Sequence, residues 1–197
     1  LDPGNTGAMS MDGMDPFAGD DGLLTGAIQT EEGEPVAGAT LILGGPVSDT
    51  TVTDAAGAYT FAGLTDGAGY SLTVSKPDSD QNGVSTLDII KIQKDILGIT
   101  PLNTPYKILA ADVNGSGTVS TLDIIRMQKV ILGIDPTFGD GLPSWKFFDA
   151  GHVFGDPVDP FADGLTNTVT LPAFSGSLTF DLIGIKAGDV NGSADGN

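Results

Sequence analysis

Residues 112–123, DVNGSGTVSTLD, set oxygen-bearing side chains among small residues at a spacing that suits one hard cation. Numbered as a twelve-residue loop, Asp112, Asn114 and Ser116 offer side-chain oxygens at positions 1, 3 and 5. Gly117 falls at position 6, where the chain must turn sharply. Thr118 offers its carbonyl at 7, Ser120 can act through water at 9, and Asp123 closes the loop at 12. Ca²⁺ takes roughly six to eight oxygen ligands, and this loop wraps them around one point. Ser116 replaces a stronger ligand at position 5, and Asp123 is shorter than the usual Glu at 12. Both changes reduce charge or reach, so a modest affinity is expected.

The same closing half occurs a second time. VSTLDIIKIQKDILGI at 84–99 and VSTLDIIRMQKVILGI at 119–134 lie 35 residues apart and differ at three positions. The earlier copy therefore has Asp88 where the later has Asp123, but Pro77 stands at its first position and cannot act as a side-chain ligand. Two completions remain open. A shortened local loop would use Asp78, Asp80 and Asn82. Alternatively, Asp189, Asn191 and Ser193 would join Asp88, because DVNGS at 189–193 repeats DVNGS at 112–116 letter for letter with no helix after it.

Helices must position these loops. Ile89, Ile90, Ile92, Ile96 and Leu97 recur at helical spacing, as do Ile124, Ile125, Met127, Ile131 and Leu132. Ser or Thr precedes each run as a cap, Asp sits in the first turn, and Gly98 or Gly133 ends it. Two such helices are expected to pack with pseudo-twofold symmetry. Strands over 106–110 and 182–186 are expected to lead into the two DVNGS segments.

On either side the texture is β. Runs at 24–29, 39–43, 50–53, 58–61 and 70–75 alternate with turn clusters, which predicts a small antiparallel sandwich. Strand candidates also fall at 145–148, 169–171 and 178–185. Residues 1–21 have neither period and read as an extended arm or linker.

Charge narrows the function classes. There are 26 acidic and 8 basic residues, a formal net charge of −18. Glu occurs only at 31, 32 and 34, so the acids are mostly Asp, which favours turns and ligand loops. A chain this acidic is repelled by phosphate backbones, so no nucleic-acid partner is expected. No apolar run approaches a membrane span. With no cysteine, thiolate chemistry is excluded. The single histidine, His152, lacks a nucleophile elbow or a second histidine and reads as a loop or packing residue. Scattered Asp pairs leave a carbohydrate-active enzyme as a weak alternative.

Two family resemblances follow from these residues. GAIQTEEGEPVAGATLILGG with TDAAGAYTFAGL resembles the carboxypeptidase-regulatory-like or CnaB-like β-sandwich. Some relatives carry a Lys–Asn crosslink, but no Lys lies between 22 and 75, so none is expected inside this segment. The paired loop–helix units at 78–135 resemble a type I dockerin, an EF-hand-like module. That resemblance implies about two calcium ions, with Asp112, Asn114, Ser116, Thr118 and Asp123 as ligands. It also implies a cohesin-like partner bound through exposed helix faces.

The expected protein is thus mixed and two-domain. An arm (1–21) precedes the sandwich (22–76), the dockerin-like helix pair (77–135) and a β-rich C-terminal extension packed on that pair (136–197). Its expected role is a non-enzymatic, extracellular or cell-surface structural or adhesive one. The partner is either copies of itself, assembled into a filament by strand addition, or a cohesin-like module that attaches an enzyme. Thr50, in Asp49-Thr50-Thr51, is a candidate glycosylation site. Two bound Ca²⁺ ions would bring the charge of −18 to about −14.

Overall fold

A computed structural model of the chain describes residues 22–139 and 141–196. The arm expected at 1–21 lies outside the described residues. The elements in chain order are β1 (Gly22–Gln29), β2 (Thr40–Gly44), β3 (Asp49–Val52), β4 (Ala58–Leu64), β5 (Ser71–Ser75), α1 (Thr86–Ile96), α2 (Pro105–Ala111), α3 (Thr121–Ile131), β6 (Trp145–Asp149), a 3₁₀ turn (Pro160–Asp163), β7 (Thr168–Thr170), β8 (Ser177–Thr179) and β9 (Leu182–Lys186).

Two sheets face each other. One runs β4-β1-β9-β6, with β8 also on β1, and the other runs β3-β2-β5-β7. Side chains alternate across each strand, so β2 buries Leu41 and Leu43 while β5 buries Leu72 and Val74. These meet Leu24, Ile28, Tyr59 and Phe61 from β1 and β4, and Trp145 and Phe147 from β6.

The segment 136–197 does more than pack on the helices. Its strands enter both sheets: β6 and β9 extend the first, and β7 closes the second beside β5. It also adds parallel pairing, because β1 runs parallel to β8 at residues 23–25 and to β9 at residues 28–29. Between those two pairings the Tyr59 hydroxyl and the Thr25 carbonyl hold Phe180. Gly26 makes that approach feasible, since a Cβ there would stand 2.0 Å from the Phe180 carbonyl oxygen.

The β6–β9 pair is a wall shared by two cores. Trp145, Phe147 and Leu182 face the sandwich, whereas Phe148 and Ile185 face the helices. The second core joins Ile89 and Ile92 of α1, Leu109 and Ala111 of α2, and Ile124, Met127 and Val130 of α3. Helices α1 and α3 pack on each other, as their repeat predicts. Each starts in a capping box, Ser85 with Asp88 and Ser120 with Asp123.

One element differs from expectation in kind. Residues 106–110 form helix α2 and not a strand. Thr104 caps it and Pro105 occupies its first turn, a start signal that outweighs the β-branched look of the run. No helix among the described residues is long and apolar enough to cross a membrane.

Candidate calcium sites

The loop at 112–123 begins where α2 ends and closes on the first turn of α3. Asp112 and Asp123 are almost wholly buried. Asp112 Oδ1 accepts from Ser116 N at 3.0 Å, and its Oδ2 accepts from Gly117 N at 2.8 Å. Asp123 Oδ1 accepts from Asn114 N at 3.2 Å, and its Oδ2 accepts from Ser120 N at 2.8 Å and Ser120 Oγ at 3.0 Å. Ser116 Oγ donates to the Thr118 carbonyl at 3.2 Å. Gly117 has φ of +77°, the left-handed turn expected at position 6. Hydrogen bonds within the loop thus tie Asp112 to Ser116 and Gly117, Asp123 to Asn114 and Ser120, and Ser116 to Thr118.

A half-buried cation lies against the end of α2 where this loop begins. Lys146 Nζ donates to the Leu109 carbonyl at 2.9 Å and the Asp112 carbonyl at 3.1 Å, fixing the carbonyl end of α2. Burial lowers its pKa, and the carboxylates of Asp112 and Asp123 pull only partly the other way.

The second constellation centres on Asp88, which has no exposed surface. Its Oδ2 accepts from Ser85 N at 2.9 Å and Ser85 Oγ at 2.7 Å. Its Oδ1 accepts from Val190 N at 3.0 Å and from Asn191 Nδ2 at 2.7 Å. Asp189 accepts from Asn191 N and Gly192 N on Oδ1 and from Ala194 N on Oδ2. Ser193 Oγ donates to the Gly83 carbonyl at 3.1 Å. Burial pushes the Asp88 carboxyl up despite its bonds from Ser85, and the charge of Asp189 adds to that rise.

Asp78, Asp80 and Asn82 are committed elsewhere. Asp78 Oδ2 accepts from Trp145 Nε1 at 2.9 Å and from Asn82 Nδ2 at 2.7 Å. Asp80 accepts from Ser144 Oγ and from Phe138 N. Asn82 also exchanges bonds with the backbone of Asp195. These side chains anchor their loop to β6 and to the 189–195 segment, and none has a hydrogen bond to Asp88. Ser85 and the Gly83 carbonyl are functional candidates that sequence reading passed over. Counting 35 residues back from Ser120 and Thr118 finds both.

The donor set fits a hard cation. Each constellation offers two carboxylates plus amide, hydroxyl and carbonyl oxygens, without nitrogen or sulfur ligands. Among the described residues no three or more His, Cys, Asp or Glu converge, so these constellations are low in charge for Ca²⁺. Elsewhere, His152 Nε2 pairs with Asp163 Oδ2 at 2.7 Å and its ring meets Phe154 edge-on, the packing role expected of it. Thr50 is exposed on the edge strand β3, its N donating to Asp49 Oδ1.

Two family models match parts of the chain. Residues 24–100 match the carboxypeptidase regulatory-like domain, and residues 77–132 match the dockerin type I domain. Over those residues the chain is similar to both families. Type I dockerins bind calcium, and both families are non-catalytic. The two matched ranges overlap across α1 and the loop before it. No curated protein matches the chain. Among solved structures, a C-terminal fragment of the pilus adhesin SpaC from Lactobacillus rhamnosus GG is 23% identical, with a TM-score of 0.26. The overlay covers 31% of this chain and 25% of that one. Catechol 1,2-dioxygenase from Pseudomonas arvilla C-1 is 13% identical over 86% of this chain and 54% of that one, also with a TM-score of 0.26. At that TM-score neither overlay bears on fold or function.

The helix repeat leaves matched apolar residues in solvent. Leu87, Ile90, Leu97 and Ile99 are exposed, and so are Leu122, Ile125, Leu132 and Ile134 at the same offset of 35. Leu97 and Leu132 are the barest pair, at 67% and 71%.

Proposed function

We propose that the chain is a calcium-dependent, non-enzymatic protein-assembly module that works outside the cell. The duplicated exposed apolar set on and just after α1 and α3 carries this reading. A lone exposed Leu needs no explanation, but eight large apolar side chains repeated at one offset are what a protein interface leaves bare in the free module. The occupant favoured is a cohesin-like domain that grips the helix faces, in keeping with the dockerin match.

Calcium would act as a fold-setting ligand. Asp112, Asn114, Ser116, the Thr118 carbonyl, Ser120 through water, and Asp123 would hold one ion and fix the start of α3. Ion binding to a loop absent from the unfolded chain contributes directly to folding. Sites of modest affinity fill only where calcium is near about a millimolar, which favours an extracellular setting.

A second reading, self-assembly into a filament, is favoured by a different observation. Strands β3, β4, β6 and β7 each end a sheet among the described residues, and such edges can take a strand from a neighbour. Light scattering and negative-stain microscopy, with calcium and with chelator, separate the readings. A 1:1 complex with a cohesin domain that chelator dissolves supports docking. Fibres of the chain alone support self-assembly. A monomer indifferent to cohesins and to calcium overturns both.

A further inference from the structure

We propose that residues 83–88 and 189–193 together form a second calcium site, a loop cut in two and rejoined across the fold. The proposal rests on reading 112–123 as a calcium loop, and it is a correspondence of contacts as well as of letters. In that loop Asp112 Oδ2 accepts from Gly117 N, five residues on; Asp189 Oδ2 accepts from Ala194 N, also five on. Ser116 Oγ donates to the carbonyl of Thr118; Ser193 Oγ donates to the carbonyl of Gly83, the residue 35 before Thr118. Ser120 reaches Asp123 Oδ2 through N and Oγ; Ser85 reaches Asp88 Oδ2 through the same two atoms. Asp123 Oδ1 accepts from the Asn114 backbone, while Asp88 Oδ1 accepts from Val190 N and the Asn191 amide. The first Asp, the Ser at position 5 and the closing Ser–Asp pair of the continuous loop thus each have a counterpart in the divided one.

The assignment follows. Asp189, Asn191 and Ser193 stand at positions 1, 3 and 5, the Gly83 carbonyl at 7, Ser85 at 9 and Asp88 at 12. The chain break falls between positions 6 and 7, and the joint is tight. Gly83 has φ of +71°, and a Cβ there would stand 2.5 Å from Ala194 Cα. Only glycine lets the two backbones meet so closely. The paired bonds between Asn82 and the Asp195 backbone clamp the same joint. Meanwhile Asp78 bonds Trp145 of β6, and Asp80 bonds Ser144 and Phe138. Asp88 and Asp189 are both buried carboxylates, and a divalent cation would offset the cost of burying them.

Titration calorimetry and native mass spectrometry of the free full-length chain count the ions without involving any partner. The unaltered chain is expected to bind two. Asp189→Asn and Asp123→Asn should each bind one, and the double variant none. Asn191→Asp is the guard against simple misfolding. A third carboxylate at position 3 should tighten one of the two sites severalfold, whereas a purely structural Asn191–Asp88 hydrogen bond predicts no gain. Two sites unchanged in Asp189→Asn, or no tightening in Asn191→Asp, would overturn the proposal. One ion in the unaltered chain, lost in Asp123→Asn, overturns the split site and leaves the 112–123 reading intact. No ion at all overturns both.

Discussion

Asn191 donates its side-chain amide to the carboxylate of Asp88 at 2.7 Å, across 103 residues of sequence. Asp88 is fully buried, so each donor it accepts offsets part of its desolvation. Asn191→Ala removes one donor from a buried charge. In chelator, the variant is expected to lose about 1–3 kcal/mol of stability, read from urea denaturation.

Asp123 has two separable duties, closing the capping box of α3 and holding its loop. In chelator, Asp123→Ala should cost about 1 kcal/mol, the worth of a cap. With calcium at a hundredfold excess over its Kd, the unaltered chain gains a further ~2.7 kcal/mol that the variant lacks. Thermal melts of both proteins, with and without calcium, give the two contributions.

The exposed apolar pairs predict an effect on docking without an effect on folding. Leu97→Ser with Leu132→Ser removes the barest of the pairs repeated on the helices. Stability should stay within about 0.5 kcal/mol, as for other surface changes. Binding to a cohesin-like partner should weaken by at least about tenfold, because central apolar anchors commonly carry 1.4 kcal/mol or more, roughly. Calorimetry of the complex checks it.

Gly26 sits where β1 changes neighbour from β8 to β9. An added methyl would meet the Phe180 carbonyl, a backbone atom that cannot rotate away. Gly26→Ala should therefore cost about 1–3 kcal/mol, the scale of overpacking, and should loosen β8 and β9 first. Hydrogen exchange at Phe180 N, which donates to the Thr25 carbonyl, reports that loosening.

Buried Lys186 and half-buried Lys146 set a pH dependence. Burial lowers the pKa of Lys146 and of Lys186, although nearby Asp side chains pull both upward. Among the described residues Lys186 Nζ has no hydrogen-bond partner, and the Phe138 ring lies 6.0 Å away. Between the lowered folded values and the ordinary value of about 10.4, the unfolded chain binds more protons. Their contribution to stability therefore rises as pH climbs from neutral toward that value. Denaturation midpoints over this range should increase, and the double change Lys146→Met with Lys186→Met should flatten the rise.

The loop–helix repeat was legible because its signals are local. The capping Ser, the first-turn Asp and the apolar spacing all lie within sixteen residues, twice over. Strand positions were legible for the same reason. What sequence could not supply was the partner of each strand. Nothing within 182–186 says that its neighbours are β1 and β6, since that is decided by which face each side chain presents to two separate cores. Helix α2 was misread as a strand because Ile108 and Leu109 fit either period, while the deciding residues, Thr104 and Pro105, stand just outside the run. The second DVNGS pointed to Asp88 only through an exact copy elsewhere. A diverged copy would have left it unseen.

The parallel seating of β8 and β9 against β1 has a consequence for the order of assembly. Thr25 meets Thr179 across 154 positions, so the central strand of one sheet waits for neighbours that emerge from the ribosome far later. Pairings over such spans close slowly, and a chain shorter than this cannot complete either core. Helix α1 shares the delay, since its own cap region is finished by residues beyond 188. A partly made chain would present raw strand and helix faces to its surroundings. Both cores are therefore complete only when nearly the whole described chain is present.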